Sequence, residues 1–214
     1  MIYKTPLIVL GTIFLISLPA YFFWYKSKFK IPETGTYRKK IEKNSEVLIK
    51  LREKNAFLKD FIPDKKYNSE ISFLIDMSIE SGRNRFFVYN MKKDSVILSG
   101  LVAHGSCDNG FKTEADFSNK INSGCSSLGK FRIGNPYKGR FGISYKLYGL
   151  DSTNSNAFQR SVVLHSYECV PEQETYPIPI CNSRGCPIVA PGFMNQLKPI
   201  INSSNKPVLL WIFE

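Results

Sequence analysis

From residue 71 to the C-terminus, apolar residues come in short runs broken by Gly, Pro, Asn, Asp and Ser. Short, β-branched and aromatic-rich runs bounded by turn residues read as strands. The pattern predicts strands at 71–77, 85–91 and 96–103, with Met91-Lys92-Lys93-Asp94-Ser95 joining the last two. Further strands are expected at 128–133, 143–150, 161–165 and 207–213. Gly124, Gly129, Gly134, Asn135-Pro136, Gly139 and Gly142 punctuate the stretch, and only residues 193–201 invite a short helix. That composition predicts a mainly β domain of compact hairpins rather than alternating β-α units.

Upstream the texture differs. Residues 35–61 are rich in Lys, Glu and Leu, with Ile41, Val47, Leu48, Leu51 and Phe57 at loosely helical spacing. The expected element is a membrane-proximal helical stalk, or equally an amphipathic helix packed on the domain. Pro63-Asp64-Lys65-Lys66 breaks the pattern and marks a boundary. Residues 5–25 contain no charge, and Lys26, Lys28 and Lys30 follow. Such a run is long enough to span a bilayer, and its Phe22-Phe23-Trp24 and lysine border suits an uncleaved signal anchor. A cleavable signal peptide is the rival, with an apolar stretch at 6–18 and Ser17-Leu18-Pro19-Ala20 as an imperfect cleavage site. The excess of lysines after the run over Lys4 before it opposes the anchor's expected orientation. Either reading implies export to the cell envelope, periplasmic or on the extracytoplasmic face. The expected organisation is an anchor or signal at 1–30, a stalk at 31–66 and one catalytic-sized domain at 67–214.

Charge and cysteines sharpen the picture. The formal net charge of +11 favours anionic partners. Much of the excess sits at Lys26, Lys28, Lys30, Arg38, Lys39, Lys40, Lys43 and Lys50 beside the apolar run, so a membrane partner explains it more simply than nucleic acid. No nucleic-acid-binding motif is present. Five cysteines, Cys107, Cys125, Cys169, Cys181 and Cys186, leave at least one thiol unpaired in the chain. An oxidising compartment would let the others bridge, and with one cysteine set aside three connectivities remain open. A bridge between Cys169 and Cys181 would clamp the segment around them; unpaired buried thiols are the alternative. Zinc is disfavoured as a resident metal, since there is no C-x-x-C pair and only two histidines.

The most informative segment is Ser183-Arg184-Gly185-Cys186-Pro187. A thiol attacks only as thiolate, and a neighbouring imidazole can generate it. His165 closes the apolar run Ser161-Val162-Val163-Leu164, which puts it at a strand tip. Gly185 leaves room for a carbonyl to approach, amides around Gly185 and Cys186 can hold an oxyanion, and Arg184 can lower the thiol pKa or hold a carboxylate. Bland readings weigh against this, because an exported cysteine is more often bridged and a strand-end histidine more often packed.

The arrangement of a His followed by Ser-x-Gly-Cys resembles the signature of YkuD-type L,D-transpeptidases, in particular their murein L,D-transpeptidase family 2 branch. The stretches that carry the resemblance are Arg85 to Asn90, Leu101 to Gly105, Phe117-Ser118-Asn119, Ser126 to Gly129, Tyr145 to Leu150, Arg160 to His165 and Gly185-Cys186-Pro187, in the family's order. Arg184 stands where the family often has His or Trp, and Ser166 where it commonly has Gly. The resemblance implies a YkuD-like β-sandwich or barrel-like domain acting on peptidoglycan stem peptides, with Cys186 as nucleophile, His165 as base and no cofactor. His104 and Ser166 would stand behind them; the plainer reading of His104, and the favoured one, is a hydrogen-bonded residue supporting the Gly105 turn. The expected reaction is acyl transfer to an amine; hydrolysis by an L,D-carboxypeptidase and a wall-binding module without turnover are the alternatives.

Overall fold

The computed structural model describes residues 34–62 and 66–214, with side chains described from residue 45. The apolar run at 5–25 lies outside the described residues. Among the described residues no helix is long and apolar enough to cross a membrane.

Helix α1 covers Thr34–Phe61. Residues from Leu51 onward belong to one compact unit that runs to Glu214. In this part of α1, Leu51, Asn55 and Leu58 are buried at i, i+4 and i+7, one face of a helix. Asn55 donates to the Met91 carbonyl at 3.3 Å, and the Phe57 ring meets Trp211 edge-on at 5.9 Å.

Nine strands follow: β1 (Ile71–Asp76), β2 (Phe86–Asn90), β3 (Ser95–Gly100), β4 (Val102–Ala103), β5 (Gly129–Gly139), β6 (Gly142–Gly149), β7 (Val163–Ser166), β8 (Ile188–Val189) and β9 (Leu209–Phe213). Helix α2 (Pro191–Asn202) precedes β9. The sheet order is β3-β2-β1-β9-β5-β6-β7-β8-β4. Consecutive strands β3 and β4 therefore occupy opposite ends of the sheet, yet only Leu101 separates them. The sheet must curl until its two ends meet, which makes it barrel-like. Arg85 stitches this seam: its backbone N–H donates to the Gly100 carbonyl, and its Nε and Nη2 donate to the Val102 carbonyl at 2.9 and 2.8 Å.

Most pairings are antiparallel, but β1 with β9 and β7 with β8 are parallel. The interior is filled by alternate residues of the strands, among them Phe73, Phe86, Phe131 and Leu164. Helix α2 adds Phe193, Met194, Leu197 and Ile201, a single stripe at helical spacing. The mainly β expectation and the short helix are both realised. The run expected at 96–103 is divided at Leu101, and β5 continues through Asn135-Pro136 by a register shift between Ile133 and Pro136.

Candidate active site

Strands β7 and β8 are laid side by side in parallel, with His165 opposite Ile188 and Ser166 opposite Val189. Paired residues of parallel strands share a face, and residues two apart on one strand share it too. Cys186 lies in the bend just before β8, and its thiol faces the backbone of the segment that leads into β7, where the Ser161 carbonyl and the Val163 N–H lie.

The other four cysteines are bridged, Cys107 to Cys125 and Cys169 to Cys181, and Cys186 alone is free. Its thiol is half-buried and points at the Ser161 carbonyl, 3.9 Å away, rather than donating to the imidazole. Burial pushes the thiol up from its ordinary value, while the Val163 N–H and the Arg160 guanidinium pull it back. Ser161 holds a left-handed conformation at φ 56°, which turns the chain from the preceding loop into β7 and aims that carbonyl.

His165 is 3% exposed. Its Nδ1 lies 3.2 Å from the carbonyl oxygen of Ser166, an acceptor that fixes the ring proton on Nδ1 and leaves Nε2 as the basic nitrogen. Phe141, at the tip of the β5–β6 hairpin, stacks on the imidazole with ring centres 4.6 Å apart and planes 17° from parallel. Burial lowers the imidazole pKa, and the Ser166 carbonyl partly offsets this. Both groups are thereby biased toward their neutral forms, thiol and imidazole.

The Ser183–Gly185 turn is braced from two sides. The Ser183 N–H donates to the His104 carbonyl at 2.8 Å, its own carbonyl accepts from Ser106 at 2.9 Å, and its hydroxyl accepts the Gly185 N–H at 3.0 Å. The Gly185 amide is thus engaged within the turn. Gly185 sits at φ +104°, and a Cβ there would come within 2.5 Å of the Cys125 carbonyl oxygen. Arg184 is 83% exposed and pairs with Asp108 at 3.3 Å.

His104 has no exposed surface. Arg85 Nη2 donates to its Nδ1 at 2.9 Å, and Asn182 Nδ2 lies 3.2 Å from its Nε2. Burial, with the Arg85 charge behind it, pushes the imidazole down to about 4. It is a neutral strut beneath the turn. Among the described residues no group of three or more His, Cys, Asp or Glu gathers as metal ligands. A cavity of about 250 Å³ lined by Arg132, Asn135, Asn202 and Lys206 involves neither Cys186 nor His165.

Three contributors carry no obvious mark in the sequence. Phe141 belongs to a turn, Ser161 matters through its backbone, and Arg160 lies five residues before His165 with nothing to indicate where its long side chain goes. Only the run of family-like residues at 160–165 singles out the last two.

A lone thiol in the bend before β8 and a desolvated imidazole on the neighbouring strand β7 define a candidate cysteine-nucleophile domain. Comparison with known families makes this specific: the sequence model of the L,D-transpeptidase catalytic domain, YkuD_2, matches residues 43–213. The chain belongs to that family, as its ordered motifs suggest. Similar solved structures include the Ldtfm-avibactam carbamoyl enzyme, at 14% identity and TM-score 0.42, covering 69% of this chain and 50% of that one. An L,D-transpeptidase from Xylanimonas cellulosilytica gives 13% identity and TM-score 0.40, covering 69% of this chain and 62% of that one. The helical cell shape determining protein Pgp2 from Campylobacter jejuni, as its K307A mutant, gives 11% and 0.42, covering 77% and 56%. The chain thus spans less than two thirds of the length of these structures. No curated protein matches it.

Proposed function

We propose that this protein is a peptidoglycan L,D-transpeptidase that works through an acyl-enzyme on Cys186. The observation that carries the reading is the conjunction of one unbridged thiol, in the bend leading into β8, with an imidazole on the adjacent strand β7, its Nδ1 tied to the Ser166 carbonyl. Family membership supplies the reaction class.

In this scheme His165 Nε2 takes the proton from Cys186 Sγ as sulfur attacks the carbonyl of the third stem residue. Burial disfavours both charged forms, thiolate and imidazolium, in the resting site. The Cys186 amide is the candidate oxyanion donor, since the Gly185 amide serves the Ser183 hydroxyl. The tetrahedral intermediate collapses, the C–N bond breaks, and the departing D-alanine amine receives the proton from His165. An acceptor amine then attacks the thioester as His165 takes its proton, the C–S bond breaks, and the departing sulfur takes that proton back from His165, restoring thiol and neutral imidazole. Water in place of the amine makes the enzyme an L,D-carboxypeptidase. Arg184, exposed and carrying positive charge, is suited to a carboxylate of the stem. Two disulfides fit an exported, cell-envelope setting, and stem peptides would be the partner.

Intact-protein mass spectrometry after incubation with a carbapenem tests the nucleophile: one adduct is expected, absent from Cys186→Ser. Stem peptides incubated with the protein should give joined products for transfer and shortened ones for hydrolysis. Neither adduct nor product from a folded protein would leave a non-catalytic wall-binding module.

A further inference from the structure

Arg160 is poorly explained as a surface cation. Both terminal nitrogens of its guanidinium are held inside the loop that runs from Ser118 to Ser127. Nη1 donates to the Ser118 carbonyl at 2.7 Å and to the Ser127 hydroxyl. Nη2 donates to the Cys125 carbonyl at 2.5 Å and to the Ser123 hydroxyl at 3.2 Å. Four acceptors around a planar fork leave it one position, which a flexible ammonium could not reproduce.

That position is beside the nucleophile turn. A Cβ on Gly185 would lie 3.1 Å from Arg160 Nη2 and 2.5 Å from the Cys125 oxygen that Nη2 binds. The next residue is Cys186. Arg160 also opens the short stretch whose Ser161 carbonyl and Val163 N–H face the thiol. The other charged or titratable groups near Cys186 are poor substitutes. Arg184 points to solvent and is paired with Asp108, and His165 is biased to its neutral form.

Resting on the proposed role of Cys186, we infer that Arg160 is a positioning residue: it fixes the Gly185 turn through the Cys125 carbonyl and holds a permanent positive charge beside the turn that carries Cys186. The buried thiol would otherwise resist ionisation, and a cation seated by four acceptors stabilises thiolate as it forms without reorganising. The Cys107–Cys125 bridge gains a purpose from this arrangement, because it anchors the carbonyl on which guanidinium and turn both rest.

The test compares Arg160→Gln with Arg160→Lys. Both lose the fork, and only the first loses the charge. The rate of Cys186 alkylation by iodoacetamide is followed against pH, with melting temperature measured alongside. In Arg160→Gln the alkylation rate at pH 7 should fall about tenfold and the titration midpoint should rise, since a neighbouring opposite charge is worth about one pKa unit or more. Arg160→Lys should recover part of the loss. Equal profiles for the two variants, or a midpoint that does not move, would overturn the inference. Should Arg160→Gln fail to fold, the Ser123→Ala, Ser127→Ala double variant keeps the charge and loosens its seat; slower alkylation is expected, and an unchanged rate refutes the positioning role. Failure of the transpeptidase reading has a separate signature. There the midpoint would still respond to Arg160, while wild-type protein would form no carbapenem adduct and no peptide product.

Discussion

Replacing Gly185 by alanine should damage both stability and acylation, and the backbone packed against the turn sets the size of the effect. At φ +104° an alanine is strained, an effect worth about 1–3 kcal/mol. Its Cβ would also stand 2.5 Å from the Cys125 oxygen and 3.3 Å from the Cys125 carbonyl carbon, backbone atoms tied down by Arg160 and by the disulfide. Forcing atoms into a packed site that cannot yield costs about another 1–3 kcal/mol. The sum is about 2–6 kcal/mol, or a fall in melting temperature of roughly 4–24 °C for a domain of this size. Displacing the adjacent sulfur by about 1 Å costs about a hundredfold in rate, so carbapenem acylation should drop by more than the folded fraction does. Gly110→Ala supplies the control, because Gly110 has φ +74° with nothing within 4 Å of its Cβ position. Thermal melting and time-resolved mass spectrometry on the two variants separate strain from collision. If Gly185→Ala melts with Gly110→Ala and acylates at the wild-type rate, the claimed contact between the turn and the Cys125 carbonyl is wrong.

Other expectations follow from burial and charge. Because the His165 pKa lies below 6.5, the acid limb of kcat/KM should fall below pH 6.5, and an acid limb above pH 7 would contradict the buried, neutral base. His104, near 4 in the folded protein against 6.5 when unfolded, binds fewer protons folded than unfolded in that window. Its contribution is therefore complete above pH 6.5 and is lost as pH falls toward 4, by up to about 1.4 kcal/mol per unit; urea melts should show that slope, reduced in His104→Gln. The disulfides have sequence separations of 18 and 12, so deleting either by paired Cys→Ala substitution should cost about 3 kcal/mol in melts. Loss of Cys107–Cys125 should also slow Cys186 alkylation, since the Cys125 carbonyl seats both Arg160 and Gly185.

How much of this was legible beforehand depends on the range over which each feature is determined. The strands were legible because side-chain alternation is a property of neighbouring residues: 71–77 became Ile71–Asp76 and 143–150 became Gly142–Gly149. The break at Leu101 was not, because Ser99 to Ala103 reads as one unbroken run and only closure of the sheet on itself divides it. Strand β8 escaped for the same reason. Ile188 and Val189 are too few to show a period, and pairing with β7 and β4 makes them a strand. Helix α1 had too weak a stripe for its packing to be read, since buried Asn55 reaches Met91 and exposed Phe57 meets Trp211, both far away in sequence.

The site divides along the same line. Cys186 and His165 stood out as candidates because a nucleophile and a base are chosen by chemistry, and few residue types supply it. The pairing of the other cysteines stayed open, since three connectivities satisfy the same count and only the approach of Gly105 to Ser183 brings Cys107 and Cys125 to the nucleophile turn. Arg160 and Phe141 were hidden for a deeper reason: each acts on a partner that the fold alone delivers. An arginine five residues before a histidine is ordinary until the Ser118–Ser127 loop folds over it, and a phenylalanine between Arg140 and Gly142 is ordinary until the hairpin tip lands on an imidazole. A chain of this kind declares which atoms can react, while the groups that tune those atoms become visible only once distant carbonyls and rings have been brought within a few ångströms.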